Sequence, residues 1–232
     1  MHPILFEIGP FTIRTYGVTL AIAFLTGFSL MYYKAKRINF YPDKILDLQM
    51  CMVIFGVLGA RLLHVFLNLD VYRSEPVEIF MIWRGGLAFQ GGLLAGVFAS
   101  WAYIKINKLP LFKLADFLMP YIALGQAIGR IGCYFNGCCF GKYAAFPTQI
   151  LSSAGLVLIF TYLSIIENKK PFDGFIVSRY FILYGTLRFF MDFIRADLYP
   201  FAFGLTVSQF LSAGIIFLGV LAFILGRRNA KI

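Results

Sequence analysis

A chain of 232 residues that is 60% hydrophobic and only 14% charged, with a mean hydropathy of +0.79, is too apolar for an ordinary soluble domain. Its net charge of +10 comes without a basic tail or low-complexity run, so no nucleic-acid partner is expected. The first ten residues lack a basic leader, contain Glu7 and end in Gly9-Pro10, so no cleaved signal peptide is expected either.

Seven apolar segments follow in chain order, at 16–33, 44–67, 83–104, 114–132, 149–166, 175–193 and 205–225. Each approaches the roughly 20 apolar residues that a membrane-spanning helix needs. Short connectors leave no room for a soluble domain, so the chain reads as a single membrane domain over 1–232, all-α, with seven crossings.

The connectors alternate in charge. One set carries Lys34, Lys36, Arg37, Lys44, Lys105, Lys108, Lys113, Lys169, Lys170, Arg227, Arg228 and Lys231, twelve basic residues. The other carries Arg14, Arg73, Arg84, Lys142 and Arg195, five. The positive-inside rule places the richer set in the cytoplasm, with the N-terminus outside and the C-terminus inside.

Four arginines fall within the apolar segments: Arg61, Arg130, Arg179 and Arg188. An arginine at mid-membrane costs about 2.5–3.5 kcal/mol on insertion scales, so each needs a reason. Arg179 is close enough to a cytoplasmic end to extend its head group to water. Arg61, Arg130 and Arg188 are deeper and are expected to face a polar cavity or an anionic ligand.

Glycines cluster twice. Gly85-Gly86 and Gly91-Gly92 suit either close helix packing or a functional break. The run Gly129-Arg130-Ile131-Gly132-Cys133-Tyr134-Phe135-Asn136-Gly137-Cys138-Cys139-Phe140-Gly141 predicts an irregular segment whose freed backbone groups line a cavity. Cys133 with Cys138 or Cys139 is open to disulfide formation, and simple packing of small residues is an equal alternative. Cys51 reads as a small buried residue. Two-plus-two metal spacing is absent and there are only two His, so no metal site is predicted. His64 reads as a packed polar residue. No phosphate-cradling loop or Ser-His-Asp set is present, and no cofactor is expected.

Taken in order, these pieces resemble the bacterial prolipoprotein diacylglyceryl transferases. The resemblance runs from His2-Pro3, Ile8-Gly9-Pro10 and Tyr16-Gly17 through Gly59-Ala60-Arg61 and Gly85-Gly86-Leu87-Ala88-Phe89-Gln90-Gly91-Gly92. It continues through the 129–141 run and Pro147-Thr148-Gln149 to Tyr184-Gly185-Thr186-Leu187-Arg188-Phe189, Asp192, Arg195 and Gln209. It implies an inner-membrane enzyme that moves the diacylglyceryl group of phosphatidylglycerol to the lipobox cysteine of a prolipoprotein signal peptide, releasing glycerol 1-phosphate. Expulsion of a phosphate in a low-dielectric site suits arginine. The resemblance assigns Arg188, Tyr16 and Gln90 to catalysis and Arg130 to the headgroup phosphate. Arg61, Gly132, Asn136, Gly141, Asp192 and Arg195 are implied to support substrate binding.

The chain departs from the family pattern where Gln90 replaces the usual histidine, where Cys133 and Cys138 replace asparagine and glutamate, and at Leu151-Ser152. An amide takes no proton from a thiol, but a thiol of pKa about 8.5 is already partly thiolate near neutrality. Gln90 is therefore expected to orient the substrate. The alternatives are a diverged paralogue with another acceptor, or a phospholipid-binding or transport protein. Transporters often carry internal repeats with matching broken helices, and no such repeat is visible here.

Overall fold

The computed structural model describes residues 4–8, 11–142 and 147–229. His2-Pro3, Gly9-Pro10 and Lys231 lie outside the described residues. Among the described residues, seven long helices occupy the places of the seven apolar segments. They are α1 (Thr15–Arg37), α2 (Pro42–Leu67), α4 (Phe89–Ile106), α5 (Leu111–Asn136), α6 (Thr148–Ile166), α7 (Phe175–Ile194) and α8 (Val207–Asn229), with a short α3 (Leu69–Ser74) after α2. Five, namely α1, α2, α5, α6 and α8, are long and apolar enough to cross a membrane by length and composition. The other two are α4, which opens on Phe-Gln-Gly-Gly, and α7, which carries Arg179, Arg188 and Asp192.

One feature was not expected of an all-α chain. Strands β1 (Ile4–Ile8) and β2 (Phe11–Arg14) form an antiparallel hairpin ahead of α1. The alternating ILFEI and FTIR flank Gly9-Pro10, a turn signal that the hydropathy pattern hides.

The chain divides into two compact units. The first comprises residues 1–31 and 111–232. Its core joins α5, α6 and α7 through Ala123, Ile159, Leu163, Ile176 and Tyr180. Helices α7 and α8 meet at glycines: a Cβ on Gly185 would lie 2.7 Å from Ile216 and 3.0 Å from the Ser212 carbonyl. Ser153 of α6 donates to the Ala127 carbonyl of α5 at 2.8 Å. The buried Asp116 of α5 caps α7, accepting from the Gly174 and Val177 N–H groups at 2.9 and 3.1 Å, and from Lys170 at 3.1 Å. A carboxylate there satisfies orphan N–H groups and opposes the positive end of the helix dipole. Arg179 lies over the rings of Phe175 and Phe223, at 5.1 and 4.6 Å.

The second unit, residues 32–110, is built on α2 against α4. Here the packing reading of the glycines holds: a Cβ on Gly59 would fall 2.2 Å from that of Ala95, and one on Gly91 would fall 2.4 Å from the Gly59 carbonyl. The third apolar segment becomes helical only at Phe89, because 3₁₀ turns at Pro76–Phe80 and Ile82–Arg84 and positive φ at Gly85 and Gly86 precede it. At the other end of the pair, Lys44 donates to Asn107 at 2.7 Å and Tyr103 to Asp47 at 2.9 Å.

Candidate active site

The first unit gathers most of the residues singled out above. The predicted irregular run is in fact helical as far as Asn136, and this corrects the expectation for Gly129 and Gly132. Only at Gly137, with φ of 74°, does the helix end. Its close is a Schellman cap: the Gly137 N–H donates to the Tyr134 carbonyl and the Cys138 N–H to the Cys133 carbonyl, both at 3.2 Å. Gly132 is buried, and a Cβ there would stand 3.0 Å from Thr19 and 3.3 Å from Tyr16. It lets α1 approach α5. Asn136 is exposed at the helix end.

Beyond the cap, the chain is braced from two sides. Thr148 donates to the Cys139 carbonyl at 2.7 Å and Gln149 to the Cys138 carbonyl at 2.8 Å, so the first turn of α6 holds the loop. Gly141 forms a single antiparallel bridge with Arg195, flanked by Lys142 N–H to the Ile194 carbonyl (2.8 Å) and Ala196 N–H to the Phe140 carbonyl (3.0 Å). The loop after α5 and the segment after α7 are thereby fixed at one end of the unit.

At that end lies a line of alternating charge. Asp192, whose side chain is fully buried, faces Arg188 at 3.5 Å and Arg195 at 3.6 Å, and its oxygens have no hydrogen-bond partner among the described residues. Arg195 in turn grips Asp197 with two parallel bonds of 2.9 and 2.7 Å. That fork is the strong geometry for a guanidinium, and it holds the Asp197 carboxyl below the usual carboxylate range. Arg188 also donates to Ser208 at 3.3 Å. The start of α8 is set by a capping box in which the Gln209 N–H bonds Thr206 Oγ1 (3.2 Å) and the Thr206 N–H bonds Gln209 Oε1 (2.9 Å). Gln209 also reaches the Phe189 carbonyl at 3.4 Å.

Arg130 lies within electrostatic reach of Arg188, Tyr16 and Cys139. No hydrogen bond or ion pair ties its guanidinium among the described residues. Three guanidiniums against two carboxylates leave a positive excess, and like charges held together in a partly buried place favour an anion between them. Cys133, Cys138 and Cys139 are free thiols with sulfurs within 4.8 Å of one another. The Cys139 thiol is pulled well below the ordinary thiol range, first by its hydrogen bond with Cys133 and then by Arg195 and Arg130, against burial.

The sequence model of the prolipoprotein diacylglyceryl transferases matches residues 3–225. The chain belongs to that family. A phosphatidylglycerol–prolipoprotein diacylglyceryl transferase of Finegoldia magna is 36% identical over 235 residues, covering 95% of this chain and 94% of the relative. Proteins of the same name from Clostridium tetani (29% over 246 residues, 98% of each) and Staphylococcus saprophyticus (32% over 252 residues, 98% of this chain and 90% of the relative) are similar over their length too.

Two of the transferase residues named from sequence lie in the second unit. Arg61 is a residue that the resemblance names for substrate binding, and in the structure it is tied to backbone. Its guanidinium donates to the carbonyls of Ile79 (2.9 Å), Gly85 (2.8 Å), Gly86 (2.9 Å) and Glu78, and lies over the Tyr72 ring. With four of its five N–H donors on backbone carbonyls, it clasps the turns that precede α4. His64 packs edge-on to Tyr72 and, with Arg61 and Glu78, lines a polar cavity of 170 Å³. Gln90 is exposed in the first turn of α4, and its side chain makes no hydrogen bond to another described residue. Sequence reasoning missed Asp197, Ser208 and Asp116, which carry no motif. It included Thr148, Gln149 and Gln209 as matching letters without their latching and capping roles.

Proposed function

We propose that the chain transfers the diacylglyceryl group of phosphatidylglycerol to the lipobox cysteine of prolipoproteins. The cysteine sulfur bonds to the glycerol carbon, the bond from that carbon to the phosphate oxygen breaks, and glycerol 1-phosphate leaves with the electron pair. The observation that carries this reading is the guanidinium pair Arg130 and Arg188, with Arg188 braced by the buried Asp192. Arg130 holds the headgroup phosphate, while Arg188 neutralises the charge that grows as the bond breaks. Asp192 and Arg195 are positioning residues for Arg188, and the Gly141–Arg195 bridge fixes the loop beside them. Tyr16, brought to this end of α5 by the close contact at Gly132, contributes a hydroxyl near the reacting centre.

Gln90 orients the acceptor thiol, which reacts as the thiolate already present in solution or drawn out by nearby positive charge. Asn136 borders the headgroup. The chain crosses the bacterial plasma membrane seven times, α4 and α7 included, with the N-terminus and the arginine site at the outer side. Incubating the purified protein with phosphatidylglycerol and a lipobox peptide tests the reading. The expected product is the peptide carrying a diacylglyceryl thioether, detected by mass spectrometry together with glycerol phosphate. Hydrolysis or binding without this product overturns it.

A further inference from the structure

The thiols at the end of α5 have no part in the transfer chemistry described above. The Schellman cap explains how they meet. Cys133 stands three residues before the cap residue and Cys138 two residues after it, the two places this motif brings into contact, and the Cys138 thiol lies 3.7 Å from the Cys133 carbonyl. Cys139 follows in the left-handed region, φ 60°, a conformation a β-carbon resists, and its sulfur joins the other two. Both cysteine carbonyls of the loop are held by Thr148 and Gln149, and Phe140 is tied to Ala196, so the backbone bearing two of the three sulfurs is fixed.

We infer that Cys133, Cys138 and Cys139 form a three-thiolate site for a soft divalent cation of the zinc class. Thiolates bound to zinc at about 2.3 Å lie roughly 3.8 Å apart in a tetrahedral set. Sulfurs already within 4.8 Å reach that spacing by small side-chain rotations on a fixed backbone. On binding, the thiols that are still protonated release their protons to water. The complex of one divalent ion with three thiolates carries a single negative charge, which Arg130 and Arg195 balance. The negative end of the α5 dipole favours the cation from the other side. Three protein ligands leave the fourth tetrahedral position open to an exogenous donor. A thiol fits that position, and a metal-bound thiol is deprotonated, which Gln90 cannot bring about. This last role rests on the transferase reading, whereas the metal site itself does not.

Cobalt(II) is the probe, because thiolate ligation gives it an intense sulfur-to-metal charge-transfer band. The full-length protein, reduced and in detergent, is expected to bind one cobalt ion with that band, and zinc is expected to displace it. Cys139→Ser and Cys133→Ser should each lose the band, and Cys51→Ser, in α2 and outside the cluster, should keep it. Should the serine variants fold poorly, alkylation of the parent protein replaces them: zinc should shield the three clustered cysteines and leave Cys51 unprotected. Absence of the band in the parent, its persistence in Cys139→Ser, or no selective shielding overturns the site. A lipobox cysteine peptide is expected to change the cobalt spectrum where its serine counterpart does not. An unchanged spectrum overturns the fourth-position role. None of these readouts uses lipid transfer, so they stand apart from a failure of the transferase reading.

Discussion

At the scale of single residues, the site turns on how each guanidinium is occupied. Arg188 shares its charge with one buried carboxylate at 3.5 Å and one hydroxyl at 3.3 Å, which leaves donors for a phosphate. Arg188→Ala should therefore cost at least about 10²–10³ in turnover, the range for removing a preorganised donor to developing charge. Arg188→Lys should recover little, because an ammonium lacks the planar two-donor fork. Transfer assays on protein shown to insert normally check both. Arg61 is the opposite case, since four carbonyls take up its donors. Leaving a buried polar group unpaired costs about 1–3 kcal/mol. Arg61→Ala should accordingly lower the midpoint of thermal unfolding in detergent while KM for phosphatidylglycerol holds. A raised KM with unchanged stability would return Arg61 to the substrate. Gln90→His introduces a base that the parent lacks. Free thiolate falls tenfold per pH unit below about 8.5, whereas imidazole stays an acceptor down to about 6.5. The gain in rate should therefore grow as pH falls through that window and shrink below it, within the 10²–10⁴ typical of general-base help. A rate series from pH 5.5 to 9 reads it out (roughly the span of the two pKa values).

At the scale of elements, hydropathy alone located every long helix, because about 20 apolar residues have few other uses. It could not locate their ends. Glycine was the ambiguous letter: Gly132 packs inside α5, Gly137 ends it, and Gly85 and Gly86 take positive φ ahead of α4, yet all look alike in sequence. What separates them is the partner, and partners such as Thr19 are distant in the chain. The arginine site was legible for a different reason, since charge in an apolar segment is costly and stands out. Asp197 and Ser208 stayed hidden because polar residues near helix ends are ordinary. The α2–α4 contact gives this argument a test. Gly59→Ala sets its Cβ 2.2 Å from that of Ala95 and 2.6 Å from the Gly91 carbonyl, and backbone cannot move aside cheaply. It should lower thermal stability by about 1–3 kcal/mol, the usual range for overpacking. Gly129, with open space around it, should accept alanine without loss of stability even though it sits in the family signature. Equal melting shifts for both variants would refute the distinction.

At the scale of the whole chain, the two ends of the first unit differ in chemistry. One holds Lys170 on Asp116 and Lys113 near Asp173, at the connection from α6 to α7 and the start of α5. The other holds the Gly141–Arg195 bridge, the thiols and the Asp192 network. Helix α1 repeats the polarity, with Tyr16 at its start and Lys34, Lys36 and Arg37 in its last turn. In the second unit, Lys44 and Asn107 mark the basic end and the Arg61 clasp the other. Basic residues flanking membrane helices tend to be retained in the cytoplasm, so the expected orientation has the connectors richest in lysine inside and the arginine site, whose connectors hold Lys142 and Arg195, outside. That orientation also suits the chemistry, since a secreted preprotein meets the enzyme after crossing. Seven crossings and five both put the two termini on opposite faces. Five would leave α4 and α7 out of the membrane and reverse the connectors on either side of α5 and α6, so a fusion after Lys169 is the one that tells them apart. Reporter fusions separate the two arrangements. A phosphatase that matures only outside the cytoplasm should be active when joined after Phe203, between α7 and α8, and inactive after Lys169 or Arg228. A fluorescent protein that matures only inside should give the reverse pattern. Activity of the phosphatase after Arg228 would place α8's basic end outside, and the assignment of the arginine site to the outer face would fall with it.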